Sequence, residues 1–298
     1  MKVKIDVVDW KLIGACNLRC LHCYGPPKEE KALDKESLFE IVDKYQSMGI
    51  SWVVLTGGEP LMVKGIDEVM RRLKAAGIRI ALSTNTTYFK HHQEVIEECV
   101  SSLNIPLDGS TAEIHALSRK DERTFKTFFD VLRRYQTHPG AKPSLLRVGT
   151  VYSKATIGDF VNMARLLEPY ADVIDTWKVY ELIDYEFQPE LRKEIVHERG
   201  GFDKEMAELK ANTSLASKIM LASAGSRDKA YFMVNPKAQV VIPTDRNGVT
   251  HELPVGDFLR MPLEEVVGRW QQHITGVNYN DNHHLHYGKL DQALSPTG

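Results

Sequence analysis

Cysteine is scarce in this 298-residue chain: there are four, and none follows Cys99. Three of them, Cys16, Cys20 and Cys23, fall in the one stretch GACNLRCLHCYGPP, residues 14–27. That clustering excludes the spread, paired cysteines of a disulfide framework. The chain also lacks any run approaching the ~18 apolar residues of a membrane span. Its start, MKVKIDVVDWKLIG, mixes charges with apolar residues and has no signal-peptide core, which points to the cytoplasm. Neither sign of charge dominates. The net charge is −2, so no global basic field recruits nucleic acid or a membrane surface. Low-complexity segments are missing too, and 43% hydrophobic with 26% charged residues excludes a disordered chain.

What is present is an alternation. SWVVLTGG (51–58), IRIALSTN (78–85), SSLNIPLDG (101–109), LLRVGTVYS (145–153) and DVIDTWKVYEL (172–182) are short and rich in β-branched residues, and VVDWKLIGA (7–15) precedes them as a first strand. Helical spacing lies between them. In 34–48 the apolar positions are Leu38, Ile41, Val42, Tyr45 and Met48, with Asp34 as N-cap and Gly49 as stop. In 65–76 Ile66, Val69, Met70, Leu73 and Ala76 repeat the pattern, closed by Gly77. Segments 90–100, 122–136 and 156–168 are further helices. Strand–helix alternation predicts an α/β fold with a parallel sheet, and six units make a partial (β/α)6 barrel, two short of the eightfold one. After residue 185 the rhythm breaks. Residues 186–226 read as mostly helical, 231–244 as a small hairpin and 262–272 as a late helix, a small α+β C-terminal extension ending in a polar tail. The expected domains are therefore 1–185 and 186–298.

The spacing C-x3-C-x2-C admits two kinds of metal centre. A structural zinc site needs four ligands; His22 sits between the cysteines where its side chain diverges from theirs, and the remote HHLHY is the other source. A [4Fe–4S] cluster is the alternative, and three thiolates leave one iron open to a ligand.

Here the sequence resembles the radical S-adenosylmethionine (radical SAM) superfamily. Cys16, Cys20, Cys23 and the following Tyr24 match its hallmark. TGGEP (56–60) matches its GGEP motif after the second strand, STN (83–85) ends the third strand, and PLDGS (106–110) resembles S-x-D-G after the fourth. The resemblance covers about residues 10–180. It implies an enzyme with one [4Fe–4S] cluster held by Cys16, Cys20 and Cys23. SAM would chelate the open iron, be cleaved by one electron, and yield a 5′-deoxyadenosyl radical that abstracts substrate hydrogen. It further implies SAM contacts at Tyr24, Gly57, Gly58, Glu59, Pro60, Ser83, Asn85, Asp108 and Val148, and an external one-electron reductant of the flavodoxin or ferredoxin type. The residues suit such roles: Gly57 and Gly58 permit a sharp turn and close approach, Pro60 stiffens it, and Ser83, Thr84 and Asn85 offer short donors and acceptors.

The C-terminal segment resembles the SPASM or twitch extension of the superfamily with its cysteines missing, so one cluster is expected. WKVY on the sixth strand resembles viperin-type nucleotide dehydratases. Lys28, Arg119 and Lys178, with Arg227 or Lys229, then read as cations converging on a phosphate-rich substrate. CYGPPK with WKVY also looks like single-cluster enzymes that act on aminoglycoside sugars. The expected substrate is a small polar metabolite, a sugar or a nucleotide, undergoing epimerisation, oxidation or dehydration. A peptide-modifying radical enzyme and a structural zinc or cluster module are the alternatives. Cys99 reads as a buried small hydrophobe or as a hydrogen-atom donor, and His115 as a packing residue or a base.

Overall fold

Residues 4–187, 189–197 and 200–274 are described by a computed structural model. Five strand–helix units and a sixth strand run in order: β1 (Val7–Lys11), α1 (Lys35–Ser47), β2 (Trp52–Thr56), α2 (Ile66–Ala75), β3 (Arg79–Ser83), α3 (Phe89–Cys99), β4 (Val100–Pro106), α4 (Ala112–Arg119), α5 (Arg123–Thr137), β5 (Leu145–Tyr152), α6 (Phe160–Leu167) and β6 (Thr176–Glu181). β1 to β6 pair in sequence order, all parallel. The fold is the α/β partial barrel that the alternation predicts. Local chemistry sets the helix ends. Asp34 caps α1 by accepting from Ser37 N at 2.8 Å, and Gly49 and Gly77 follow α1 and α2 at φ +69° and +74°.

Each strand turns alternate residues to opposite faces. Val8 and Trp10, Val53 and Leu55, Ile80 and Leu82, and Leu146 and Val148 pack with the helices in one large core. Val7, Trp52, Val54, Ala81 and Leu145 form a second, smaller cluster on the inner face and plug the barrel floor. One residue pair higher on β1, β5 and β6, the inner face carries Asp9, Lys11, Arg147 and Lys178. A buried parallel strand ordinarily reads apolar on both faces; these positions break that rule together.

The later chain adds to both ends of the sheet. β7 (Asp184–Tyr185), α7 (Pro189–Arg192), α8 (Phe202–Ala211), β8 (Ile219–Ala222), β9 (Met233–Val234), β10 (Gln239–Arg246), β11 (Val249–Asp257) and α9 (Leu263–His273) complete the described elements. The strand order is β7-β11-β10-β9-β1-β2-β3-β4-β5-β6-β8. Only Leu182 and Ile183 separate β6 from β7, yet β7 lies at the far end of that order. Three residue steps reach at most ~10 Å, so the sheet curls until its ends approach.

Two expectations need correction here. Residues 186–226 hold the helices Pro189–Arg192 and Phe202–Ala211 but also a strand that the helical reading leaves out, Ile219–Ala222, which pairs parallel with β6. The expected hairpin within 231–244 exists only as the short β9–β10 pairing, and the main hairpin is β10–β11 around Asn247 and Gly248. Those two residues have φ +57° and +82°, the two left-handed positions of a tight two-residue turn. The HHLHY tail lies outside the described residues.

Candidate active site

The cysteine loop connects β1 to α1 at the C-terminal rim of the barrel. Cys16, Cys20 and Cys23 all line one cavity of ≈ 1090 Å³ including its open mouth. Donors converge on their sulfurs: Leu18 N and Asn85 Nδ2 approach Cys16 Sγ at 3.4 and 3.7 Å, Arg119 Nη1 approaches Cys20 Sγ at 4.0 Å, and Gly25 N lies 3.4 Å from Cys23 Sγ. Burial pushes the Cys20 thiol up to about 12 against the pull of Arg119, and burial also raises Cys16. Metal loading therefore takes protons off these thiols. Three sulfurs on one loop, ringed by N–H donors, fit a cluster with one iron left without a protein ligand. His22 Nδ1, buried beside the same cavity, has no hydrogen-bond partner among the described residues, as suits a cavity that takes a polar ligand.

The turn after β2 is built against this loop. Gly58 N donates to Ile13 O at 2.6 Å and Glu59 N to Ala15 O at 3.0 Å. A Cβ on Gly58 would stand 2.1 Å from Ala15 O, and Gly57 has φ +128° with Ile13 O 2.5 Å from where its Cβ would be. Only glycines allow that approach. Glu59 is fully buried and its carboxylate is occupied: it accepts from Thr84 Oγ1 and Asn85 N, both at 2.7 Å, and from Leu61 N at 3.1 Å. Burial raises its pKa although these donors oppose the shift. It clamps the β2 turn to the β3 turn. Asn85 continues the tie, donating to Asn17 Oδ1 at 2.8 Å and accepting from Thr87 N at 3.0 Å.

Below the cavity, toward the apolar plug, is a second chamber of ≈ 850 Å³. Thr56, Ser83, Asn104, Tyr24, Tyr180 and Arg227 line both. The lower chamber adds Asp9, Lys11, Arg147, Lys178, Tyr185 and Tyr231. Lys11 is buried and ion-paired with Glu252 of β11, and it donates to Tyr185 Oη at 3.2 Å. Burial opposes its charge, but Tyr185 and Glu252 hold it above the ordinary range. Tyr185 Oη donates to Glu252 Oε1 at 2.6 Å. Arg227 lies over Tyr24 and Tyr180, 4.8 and 5.4 Å from the ring centroids.

The match to the radical SAM superfamily model spans residues 10–167. The chain belongs to the radical SAM superfamily. It is an enzyme, and a [4Fe–4S] cluster with SAM is the cofactor pair of this family, so the structural zinc module is set aside. Among curated relatives, an AdoMet-dependent heme synthase of Methanosarcina barkeri (strain Fusaro / DSM 804) is 34% identical over 118 residues, 37% of this chain and 33% of that one. A GTP 3′,8-cyclase of Aquifex aeolicus (strain VF5) is 34% identical over 122 residues, 38% of this chain and 36% of that one. The chain thus spans about a third of the length of the curated relatives it matches. In fold it is similar to Streptococcus suis SuiB bound to S-adenosylmethionine, with a TM-score of 0.68, 12% identity, and 93% of this chain and 67% of that one covered. The native anSMEcpe structure with bound AdoMet and Cp18Cys peptide gives 0.61 and 15% identity over 92% of this chain and 83% of that one.

The radical SAM motifs do not all reach the cavity. Cys16, Cys20, Cys23, Tyr24, Gly57, Gly58, Ser83, Asn85 and Arg119 line it. Val148 packs instead with the helix-side core, and strand alternation brings Gly149 and Val151 to the cavity in its place. Glu59 and Pro60 are buried beneath the turn. Asp108 is buried as well: burial raises its pKa, but Arg119, His22 and His115 outweigh that and hold it low. Its carboxylate accepts from Val151 N at 2.7 Å and pairs with Arg119 Nε at 2.6 Å. Arg119 ends α4, a helix absent from the sequence reading, whose Ser118 O accepts from Leu21 N at 2.7 Å.

Lys28, Arg119 and Lys178 do not converge. Lys28 Nζ donates to Leu18 O within the cysteine loop, Arg119 sits at the cluster cavity, and only Lys178 lines the lower chamber. Of the later pair, Arg227 lines it, whereas Lys229 lines neither cavity among the described residues. His115 is buried between Asp108 N and Thr124 Oγ1, at 3.0 and 2.9 Å; Nδ1 accepts the former, which leaves Nε2 as donor to the latter. Cys99 is packed in the core at the end of α3. Missed from sequence were Asp9, Lys11 and Arg147. Their signal was available: charges at i, i+2 in VVDWK, and one in LLRVG, on otherwise apolar buried strands.

Proposed function

We propose that this enzyme abstracts hydrogen from a small polar metabolite held in the lower chamber, beside a cofactor bound in the cavity above. The observation that carries the reading is the wall common to both spaces. Tyr24, Thr56, Ser83, Asn104, Tyr180 and Arg227 face each of them, so a molecule in one meets a molecule in the other. When bound, the cluster and SAM supply a 5′-deoxyadenosyl radical. Cys16, Cys20 and Cys23 would hold the cluster, and Gly57, Gly58, Ser83 and Asn85, which line the same cavity, would meet the SAM amino-acid and ribose groups. Tyr24, which lines both spaces, would be a ring surface for its adenine. Glu59, Pro60 and Asp108 act one step back, by fixing those turns. The polar chamber lining suits a hydroxylated substrate, in keeping with epimerisation, oxidation or dehydration of a sugar or nucleotide. The extension closes the chamber, since Tyr231, Met233, Pro243 and Thr250 form its far wall.

Anaerobic reconstitution tests this reading. The protein is expected to bind about four irons and to form 5′-deoxyadenosine after reduction with SAM. Cys16→Ala should abolish that product and Cys99→Ala should leave it. A colourless protein holding one zinc ion overturns the reading.

A further inference from the structure

We infer that Arg192 of the extension is a positioning residue for the cluster: it holds Cys23 by its backbone carbonyl and, through that cysteine, sets the cluster's reduction potential. This rests on the reading of Cys23 as a cluster ligand. Arg192 ends α7, on the segment that leaves the barrel after β6. Its side chain is only 2% exposed, and a guanidinium is buried that far only with its donors engaged. Three partners engage them. Nη1 donates to Cys23 O at 3.0 Å, Nη2 to Phe187 O at 2.7 Å and Nε to Asp184 Oδ1 at 3.2 Å. Phe187 and Asp184 belong to the same segment and fix the fork. Cys23 is the partner that it reaches across the fold.

The next peptide unit is held as well. Lys11 Nζ donates to Tyr24 O at 3.3 Å, while Gly25 N, at the other end of that unit, lies 3.4 Å from Cys23 Sγ. In a planar trans peptide the C=O and the N–H point opposite ways, so a cation on the carbonyl aims the N–H at the sulfur. Glu252 of β11 and Tyr185 of β7 anchor Lys11 in turn. Gly25 lies tight against the GGEP turn, where a Cβ would stand 2.9 Å from Gly57 O. Cys23 N donates to Cys20 O at 3.2 Å. The cysteine is thus fixed at its N–H, at its carbonyl and by the following peptide. Two of these three ties run through cations that the extension supplies or anchors. Partners behind a metal ligand fix its orientation and tune the metal. Hydrogen bonds to the sulfurs and the local charge set the potential of an iron–sulfur centre. Reduction adds one electron from the external reductant and breaks no bond. A cation on the Cys23 carbonyl favours that added negative charge.

The test compares the full chain as wild type, Arg192→Met and Arg192→Lys, each reconstituted anaerobically, with Lys193→Met as control. Lys193 is exposed and pairs with Glu190. Potentiometry read by electron paramagnetic resonance gives the midpoint potential and the g-values of the reduced cluster before SAM is added. Arg192→Met should lower the midpoint, Arg192→Lys should fall between it and the wild type, and Lys193→Met should match the wild type. Iron release to a chelator should be about tenfold faster in Arg192→Met. A role confined to stability would lower the melting temperature and leave the potential in place. An unmoved or raised potential in folded, loaded Arg192→Met overturns the inference. If that variant does not fold or load, Arg192→Lys decides: a lowered midpoint supports the inference and a wild-type midpoint overturns it. Wild-type protein that loads no cluster refutes instead the reading of Cys16, Cys20 and Cys23 as its ligands. Loaded wild type beside an unmoved variant refutes only the role of Arg192.

Discussion

Gly58 and Lys178 are the residues at which sequence and site meet most directly. The hydrogen that replaces a side chain at Gly58 lets the β2 turn lie on the carbonyls of Gly14 and Ala15, 2.4 and 2.1 Å from where a Cβ would be. Gly58→Ala must move the cysteine loop. It should cost about 1–3 kcal/mol in denaturant unfolding and lower the iron bound on reconstitution. Lys178 carries a pH signature. Its folded pKa of about 7 lies below the ordinary 10.5 because of burial, Arg227 and Arg147, with Asp9 opposing. Below about pH 7 folded and unfolded chains are both protonated and the burial cost is complete. As pH rises from about 7 toward 10.5 the folded chain sheds this proton first, so stability rises. Thermal melts across that range should show the rise in the wild type and a flatter profile in Lys178→Met. The cluster loop and the GGEP turn were legible in the sequence because their chemistry is contiguous. The chamber was not, because Asp9 and Lys11 on β1, Arg147 on β5 and Lys178 on β6 are isolated charges on three strands, and only the barrel's closure brings those strands together. Val148 was misplaced by one position, and period-two alternation turns that slip into the opposite face.

Among the elements, α4 shows how a short helix supports the centre. It was missed because eight residues between two turns give too little periodicity to read, though Thr111 caps it by accepting from Ile114 N at 3.2 Å. Its last residue, Arg119, pairs with Asp108, which is fully buried. Arg119→Ala leaves that carboxylate uncompensated and should destabilise the protein by about 3–5 kcal/mol in urea. Asp108→Asn together with Arg119→Ala should recover part of the loss. The β10–β11 hairpin was missed for a different reason. The expected hairpin ends at residue 244, before its true turn at Asn247-Gly248, so the second strand, Val249–Asp257, falls outside it.

At the scale of the whole molecule, the extension shares the barrel's sheet: β9 pairs with β1, β8 with β6, and Glu252 of β11 neutralises Lys11 of β1. We therefore expect residues 1–185 and the remainder to unfold together. Calorimetry should give one transition, and a fragment ending at residue 185 should fail to fold, since it exposes two strand edges and strips Lys11 of its carboxylate. Two separate transitions would show that the segments are independent. Six strands, their order and five of the helices followed from the apolar spacing. The curl that joins β6 to β7 did not, because long-range closure leaves no local pattern.

The most direct test of the central claim is the rate of 5′-deoxyadenosine formation by the reduced, cluster-loaded enzyme with CTP, UTP, sugar phosphates, kanamycin or buffer alone. Stimulation over buffer by at least one of these sugars or nucleotides is the predicted result. Stimulation by none of them would contradict a chamber for a small polar metabolite beneath the cluster.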